Sequence, residues 1–240
     1  METIDQVIDA INEFRKELHD DPEGRFHSWE HCYKRFHEAR IERDNNTVDY
    51  DNLCLHLAFY LASWGMYRGS SFLLKKDYKI HKPIVELLLN PQYDCLFGLN
   101  CIELRKEEVW NKLEKLQSAI KNEYAKIRKA VKKDIKTEDR HDVSSTLITK
   151  VLMGTFGCVP AYDRFFIDGV KELNVTTGNY NRESILPLVT FYENNYDALE
   201  KIRKELKVYD LPYPQMKLLD MGFWEIGLKK EKKAKKLKNK

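Results

Sequence analysis

Apolar residues recur at helical spacing along most of this chain. The clearest run is Val109, Leu113, Leu116, Ile120, Tyr124, Ile127 and Val131, at intervals of 4, 3, 4, 4, 3 and 4. That pattern makes one apolar stripe along about six helical turns. Val7, Ile8, Ile11 and Phe14 mark an amphipathic first helix, which DDPEG (Asp20 to Gly24) ends through proline and glycine. Ser28 to Arg40 reads as a second helix with Ser28 as its N-cap, and ERDNNTVDYDN after it as a loop. The most apolar run, LCLHLAFYLASWGMY (Leu53 to Tyr67), is shorter than the ~20 residues a membrane span needs. It predicts a buried helix from about Leu53 to Trp64. Further helices are predicted over Pro83 to Asn90, with proline in the first turn, over Asp142 to Phe156, over Asp163 to Leu173, over Glu183 to Leu206 with Pro187 limiting or kinking it, and over Gln215 to Trp224. CLFGLNC fits a turn or a short strand, and strand signals elsewhere are weak. The pattern predicts an all-α fold: one compact multi-helix domain over residues 1–227.

Charge adds a second feature. The 240 residues carry a net +3, but Leu228 to Lys240, LKKEKKAKKLKNK, holds eight lysines and one glutamate. Residues 1–227 then hold 33 basic and 37 acidic residues, a net −4. A net-acidic body excludes a protein that grips duplex DNA over its whole surface, so phosphate contacts must come from local patches. Lys121 to Lys136 is one such patch, with seven basic residues against two acidic ones, and Lys129, Lys132, Lys133 and Lys136 are its nucleic-acid-binding candidates. It also reads as the solvated face of a helix whose lysines suit the dipole. Residues 228–240 read as a disordered extension, either a weak nucleic-acid contact or a solubilising tail. Five scattered cysteines with no CxxC predict reduced thiols and a cytoplasmic protein rather than a disulfide frame or zinc knuckle. METIDQVIDAINEF is amphipathic and acidic, unlike a signal peptide. No membrane association is expected.

Two stretches carry candidate chemistry. In WGMYRGSS, Gly65 and Gly69 bracket Met66, Tyr67 and Arg68. Two glycines four apart cap or bend a helix, or let a ligand approach the backbone. An arginine between them is a candidate anion contact, with Tyr67 beside it. The second stretch is TKVLMGTFGCVPAYDRFF, Thr149 to Phe166. At 100° per residue, Lys150 lies about 110° from the centre of the stripe formed by Val143, Leu147, Ile148, Val151 and Leu152. That is the stripe's edge, where a lysine folds its stem over apolar surface and leaves its amine at a cleft wall. Asp163 follows Pro160 by three residues and suits an N-cap, worth ~1 kcal/mol. A boundary lysine and a capping aspartate account for both residues without catalysis.

The same stretch resembles the end of the helix-hairpin-helix motif of DNA glycosylases, in their 8-oxoguanine branch. The resemblance covers residues 149–166. It matches Lys150 to the family's nucleophilic lysine, Val159 to Tyr162 to the segment between, and Asp163 to the aspartate that caps the next helix. VSSTLITK, before Lys150, holds no glycine where that family carries a glycine-rich hairpin. The resemblance implies a mostly helical fold and a glycosylase and lyase acting on damaged or single-stranded DNA. A neutral amine would attack a sugar C1′ and the base would leave, with the aspartate stabilising positive charge. A flipped base would stack on aromatic side chains, for which Trp64, Tyr67, Tyr162, Phe165 and Phe166 are available.

Other constellations are weaker. His27 and His31 stand four apart, compatible with two ligands to one metal, but no HExxH or third ligand is fixed by spacing. Asp220 and Glu225, five apart, do not face each other on a helix. No Walker loop, GxGxxG or GxSxG occurs, and neither a cofactor nor a metal is expected. Three functions therefore stay open: a DNA glycosylase/AP-lyase-like enzyme using Lys150 and Asp163, a non-catalytic nucleic-acid-binding helical module, and a regulatory protein-binding module with a pocket at Arg68.

Overall fold

A computed structural model describes residues 2–69, 71–132 and 143–238, without the side chains of Lys132 and Lys238. The protein is all-α. Its long helices are α1 (Thr3–Asp20), α2 (His27–Asp44), α3 (Tyr50–Ser63), α4 (Lys82–Leu88), α5 (Glu107–Lys132), α6 (Ser145–Thr155), α7 (Arg164–Glu172), α8 (Arg182–Asn194), α9 (Tyr196–Glu205) and α10 (Gln215–Lys238). Lys207–Val208 and Leu211–Pro212 form a minimal antiparallel hairpin, β1 and β2, between α9 and α10.

The chain divides into two compact units. One comprises Met1–Gly24, Gly98–Lys106 and Gly157–Lys240; the other comprises Arg25–Phe97 and Glu107–Phe156. The first is built around α10, which packs on α7 and α1. Glycines make those crossings possible. A Cβ on Gly169 of α7 would overlap the Phe223 carbonyl of α10, and one on Gly227 would overlap the Phe165 carbonyl of α7. A Cβ on Gly222 would press on Val7 and Ile11 of α1. Phe14 and Trp224 meet edge to face beside these contacts. The other end of α10 is tied by Glu200, which accepts from Tyr192, Arg203 and Gln215. Burial opposes its ionisation, but these hydrogen bonds outweigh it and bring the carboxyl to about 2.

In the second unit, α3 packs against α2, α4 and α6, and α5 against α4 and α6. The α5 stripe behaves as its spacing predicts: Val109, Leu113, Leu116, Ile120 and Tyr124 are buried, while Ile127 and Val131 are half-buried. Trp29 of α2 donates to the Met153 carbonyl of α6 at 2.9 Å. Arg40 is buried between the rings of Phe97 and Phe156 and donates to the Phe36 carbonyl.

Three local expectations are corrected. Ser28 lies inside α2, and its hydroxyl donates to the Arg25 carbonyl instead of capping the helix. The predicted Glu183–Leu206 helix breaks at Asn195 into α8 and α9, while Pro187 is accommodated inside α8. Residues 228–238, read as a disordered tail, continue α10. Lysine is a good helix former, and Lys229 pairs with Glu13 of α1 and Lys230 with Glu172 of α7. No described helix is long and apolar enough to cross a membrane.

The crossings give a signed prediction. A glycine-to-alanine change at an unobstructed helical site gains about 0.5–1 kcal/mol. Gly169→Ala and Gly227→Ala instead lose about 3 kcal/mol or more, because backbone must move, as measured by urea unfolding.

Candidate functional site

The candidate chemistry of the second unit gathers where α3 ends. Gly65 takes φ +78°, and the turn is a Schellman motif: Met66 N–H bonds Leu61 O and Gly65 N–H bonds Ala62 O. Trp64 N–H bonds Tyr60 O. The two carbonyls left over are taken by cations from elsewhere. Arg25 donates to Ser63 O at 3.3 Å, and Lys150 donates to Trp64 O at 3.2 Å. Both also face the Trp64 ring, Arg25 Cζ at 5.7 Å and Lys150 Nζ at 5.3 Å from its centroid. Phe26 stacks on that ring at 5.3 Å.

Lys150 is 2% exposed. The helical stripe predicts an edge position, but every residue of α6 from Leu147 to Thr155 is buried, so the helix has no solvated edge around Lys150. Its side chain runs inside the unit to the negative end of the α3 dipole, a favourable seat for a cation.

Arg68 is exposed, and its guanidinium lies against Gly65: a Cβ there would come within 3.2 Å of Cζ. Tyr67, next to it, is half-buried and bonds His81 Nε2 at 2.7 Å; His81 Nδ1 meets Tyr124 Oη at 2.9 Å. Burial lowers His81 to about 4 and raises Tyr67 to about 12, and it holds Tyr124 well above the ordinary phenol range. The imidazole is therefore neutral near pH 7. Tyr124 is fully buried with Nδ1 as its acceptor, so its O–H donates there and the Nε2–H donates to Tyr67. This strut anchors the turn that carries Arg68.

Asp163 belongs to the first unit and Lys150 to the second. Asp163 is the N-cap of α7, as predicted, and accepts from Phe165 N–H at 3.1 Å and Phe166 N–H at 3.2 Å. The segment leading to it is held by Asp220 of α10, which accepts from Ala161 N–H at 2.9 Å and from Lys217 at 3.2 Å. Burial pushes the Asp220 carboxyl up; Lys217 pulls it down, and the charge of Asp163 adds to the rise. Tyr162 and Phe166 are core residues that touch each other, while Phe165 packs on Trp224. Of the five aromatics expected for base stacking, Trp64 and Tyr67 lie on the α3 turn, half-buried.

The basic patch is only partly described. Lys129 is exposed on α5, Lys132 is the helix's last residue, and Lys133 and Lys136 lie outside the described residues. His27 bonds Glu30 at 2.8 Å, and the described residues hold no group of three or more His, Cys, Asp or Glu suited to a metal. All five cysteines are free thiols. Sequence reasoning missed Arg25, His81 and Lys217. The i,i+3 spacing of Lys217 and Asp220 was a usable signal; nothing in LKKDYKIHKP announces that His81 will bridge two phenols. Compared with family models, curated proteins and solved structures, the chain matches none.

His81 yields a pH prediction. Its folded value lies below its unfolded one, so between pH 6.5 and about 4 the unfolded chain binds the extra proton and stability falls as pH falls. The slope from this group approaches about 1.4 kcal/mol per pH unit. Burial also lowers His37 and His56, so the check is a difference: urea unfolding from pH 7 to 5 shows a shallower loss in His81→Gln than in wild type.

Proposed function

We propose that this protein is a DNA glycosylase/AP-lyase-like enzyme acting on damaged or single-stranded DNA, with Lys150 as the amine nucleophile. The observation that carries this reading is the seat of Lys150. A lysine is rarely buried, and this one is held on a rigid helix with its amine fixed at the Trp64 carbonyl beside an indole ring. Such a seat supports the family resemblance of residues 149–166, and so does the capping of α7 by Asp163, the position the resemblance gives to the supporting carboxylate.

The chemistry follows from the amine. Once the ammonium has given a proton to water, the Nζ lone pair forms a bond to C1′ of the damaged nucleotide, and the C1′–N bonding pair leaves with the base, which takes up a proton from the attacking nitrogen. Nitrogen then expels O4′ and the sugar ring opens, leaving a C1′=Nζ Schiff base; water hydrolyses it, or loss of a C2′ proton leads to strand cleavage. On DNA already abasic, the amine condenses with the C1′ aldehyde and water departs. A second reading, a non-catalytic nucleic-acid-binding module, draws support from the exposed Lys232, Lys233 and Lys236 on α10 and Lys129 on α5.

Borohydride separates the two readings by reducing the Schiff base to a stable amine. Wild type is expected to form a covalent complex with an abasic oligonucleotide. Lys150→Ala abolishes it. Trapping that persists in Lys150→Ala removes Lys150 as the nucleophile; DNA binding by a wild type that never traps leaves the binding module.

A further inference from the structure

Three cations converge on one turn. Lys150, Arg25 and Arg68 come from α6, from the residue before Phe26 and from the loop after α3, and they seat on Trp64 O, Ser63 O and Gly65 respectively. A helix C-terminus supplies roughly half an elementary negative charge, so three cations more than neutralise it. Arg25 and Arg68 are exposed, and neither forms an ion pair with a described carboxylate. Two other exposed arginines do pair with carboxylates, Arg105 with Glu193 and Arg164 with Glu231. Arg25 uses one of five guanidinium N–H groups on Ser63 O, and its plane faces Phe26 and Trp64 at 5.2 and 5.7 Å. Both guanidinia are therefore oriented by packing before any ligand arrives, with donors left over.

We propose that Arg25 and Arg68 form a phosphate clamp for a DNA strand at the turn after α3, each gripping a backbone phosphate. Phosphate is the anion whose oxygens match a planar guanidinium fork, and a strand offers phosphates in series on both sides of one sugar. Gly65 is part of the device. Its positive φ makes the turn, and its missing Cβ is the space against which the Arg68 guanidinium lies. The Tyr124–His81–Tyr67 strut holds the same turn from inside the unit, which makes His81 a positioning residue. This inference rests on the reading of Lys150 as nucleophile for the identity of the strand, but its test does not depend on catalysis.

The test is equilibrium binding of a short fluorescein-labelled oligothymidylate with one abasic site, followed by anisotropy across a chloride series. Arg68→Ala and Arg25→Gln each raise Kd roughly tenfold at moderate salt. Each also lowers the slope of log K against log salt by roughly 0.7, the value for one phosphate contact on a single strand; the double variant lowers it by about twice that. Lys16→Gln/Lys201→Gln, at exposed positions of α1 and α9, leaves Kd within about twofold, while the α10 variant Lys232→Gln/Lys236→Gln tests the binding-module reading. Unchanged affinity and slope in the arginine variants overturn the clamp, as does loss of binding confined to the α10 variant or a wild type that binds no oligonucleotide. Displacement by inorganic phosphate far beyond that by chloride of equal ionic strength marks a free-oxyanion site and overturns the strand assignment. If wild type binds through the arginines yet gives no borohydride adduct, the clamp stands and the lyase reading falls.

Discussion

Two helices can bring their backbones into contact only where side chains are absent from the seam, and in the first unit that constraint governs everything else. Gly169 sits on the Phe223 carbonyl and Gly227 on the Phe165 carbonyl, so α7 and α10 are keyed to each other at two points. Two points fix both the distance and the rotation of one helix on the other. The N-terminus of α7, with Asp163 capping it, inherits that orientation, and Asp220 on the same α10 holds the strand of chain that enters it. A carboxylate placed this way is set by backbone contact and two peptide N–H groups, with little freedom of its own.

The second unit solves a different problem, the unsatisfied carbonyls at the end of a helix. Most α-helix ends turn to water. The end of α3 closes three carbonyls by its own turn and hands the last two to Arg25 and Lys150. Positive charge is thereby drawn to one place by a structural need, and a lysine that would otherwise seek solvent is kept inside. Capping uses an N–H of this amine and a nucleophilic role its lone pair, so trapping chemistry decides between them.

The helices were legible where one face is apolar and the other is not. The α5 stripe is the case in point, its burial fading at Ile127 and Val131 as the lysines thicken. Lys150 was misplaced because α6 is enclosed on all sides. The signal was present in Thr149, Gly154 and Thr155, small or self-satisfying residues that let neighbours approach; Thr149 and Thr155 return their hydroxyls to their own helix. The hairpin escaped because its turn uses Tyr209 at φ +56°, where glycine or asparagine would have marked it. The last turns of α10 depend on glutamates at positions 13 and 172, partners too distant for composition to reveal. The anion candidate at Arg68 was visible from its flanking glycines, whereas Arg25 and His81 reach the same turn through the tertiary fold alone.

The first unit takes its residues from both ends of the chain, with α1 lying on α10. On a ribosome, α1 must therefore wait, its apolar face uncovered, until α10 has been made. The second unit has all of its residues once Phe156 has emerged, so the part that carries Lys150 can close first, and the segment that carries Asp163 consolidates only with the final helix.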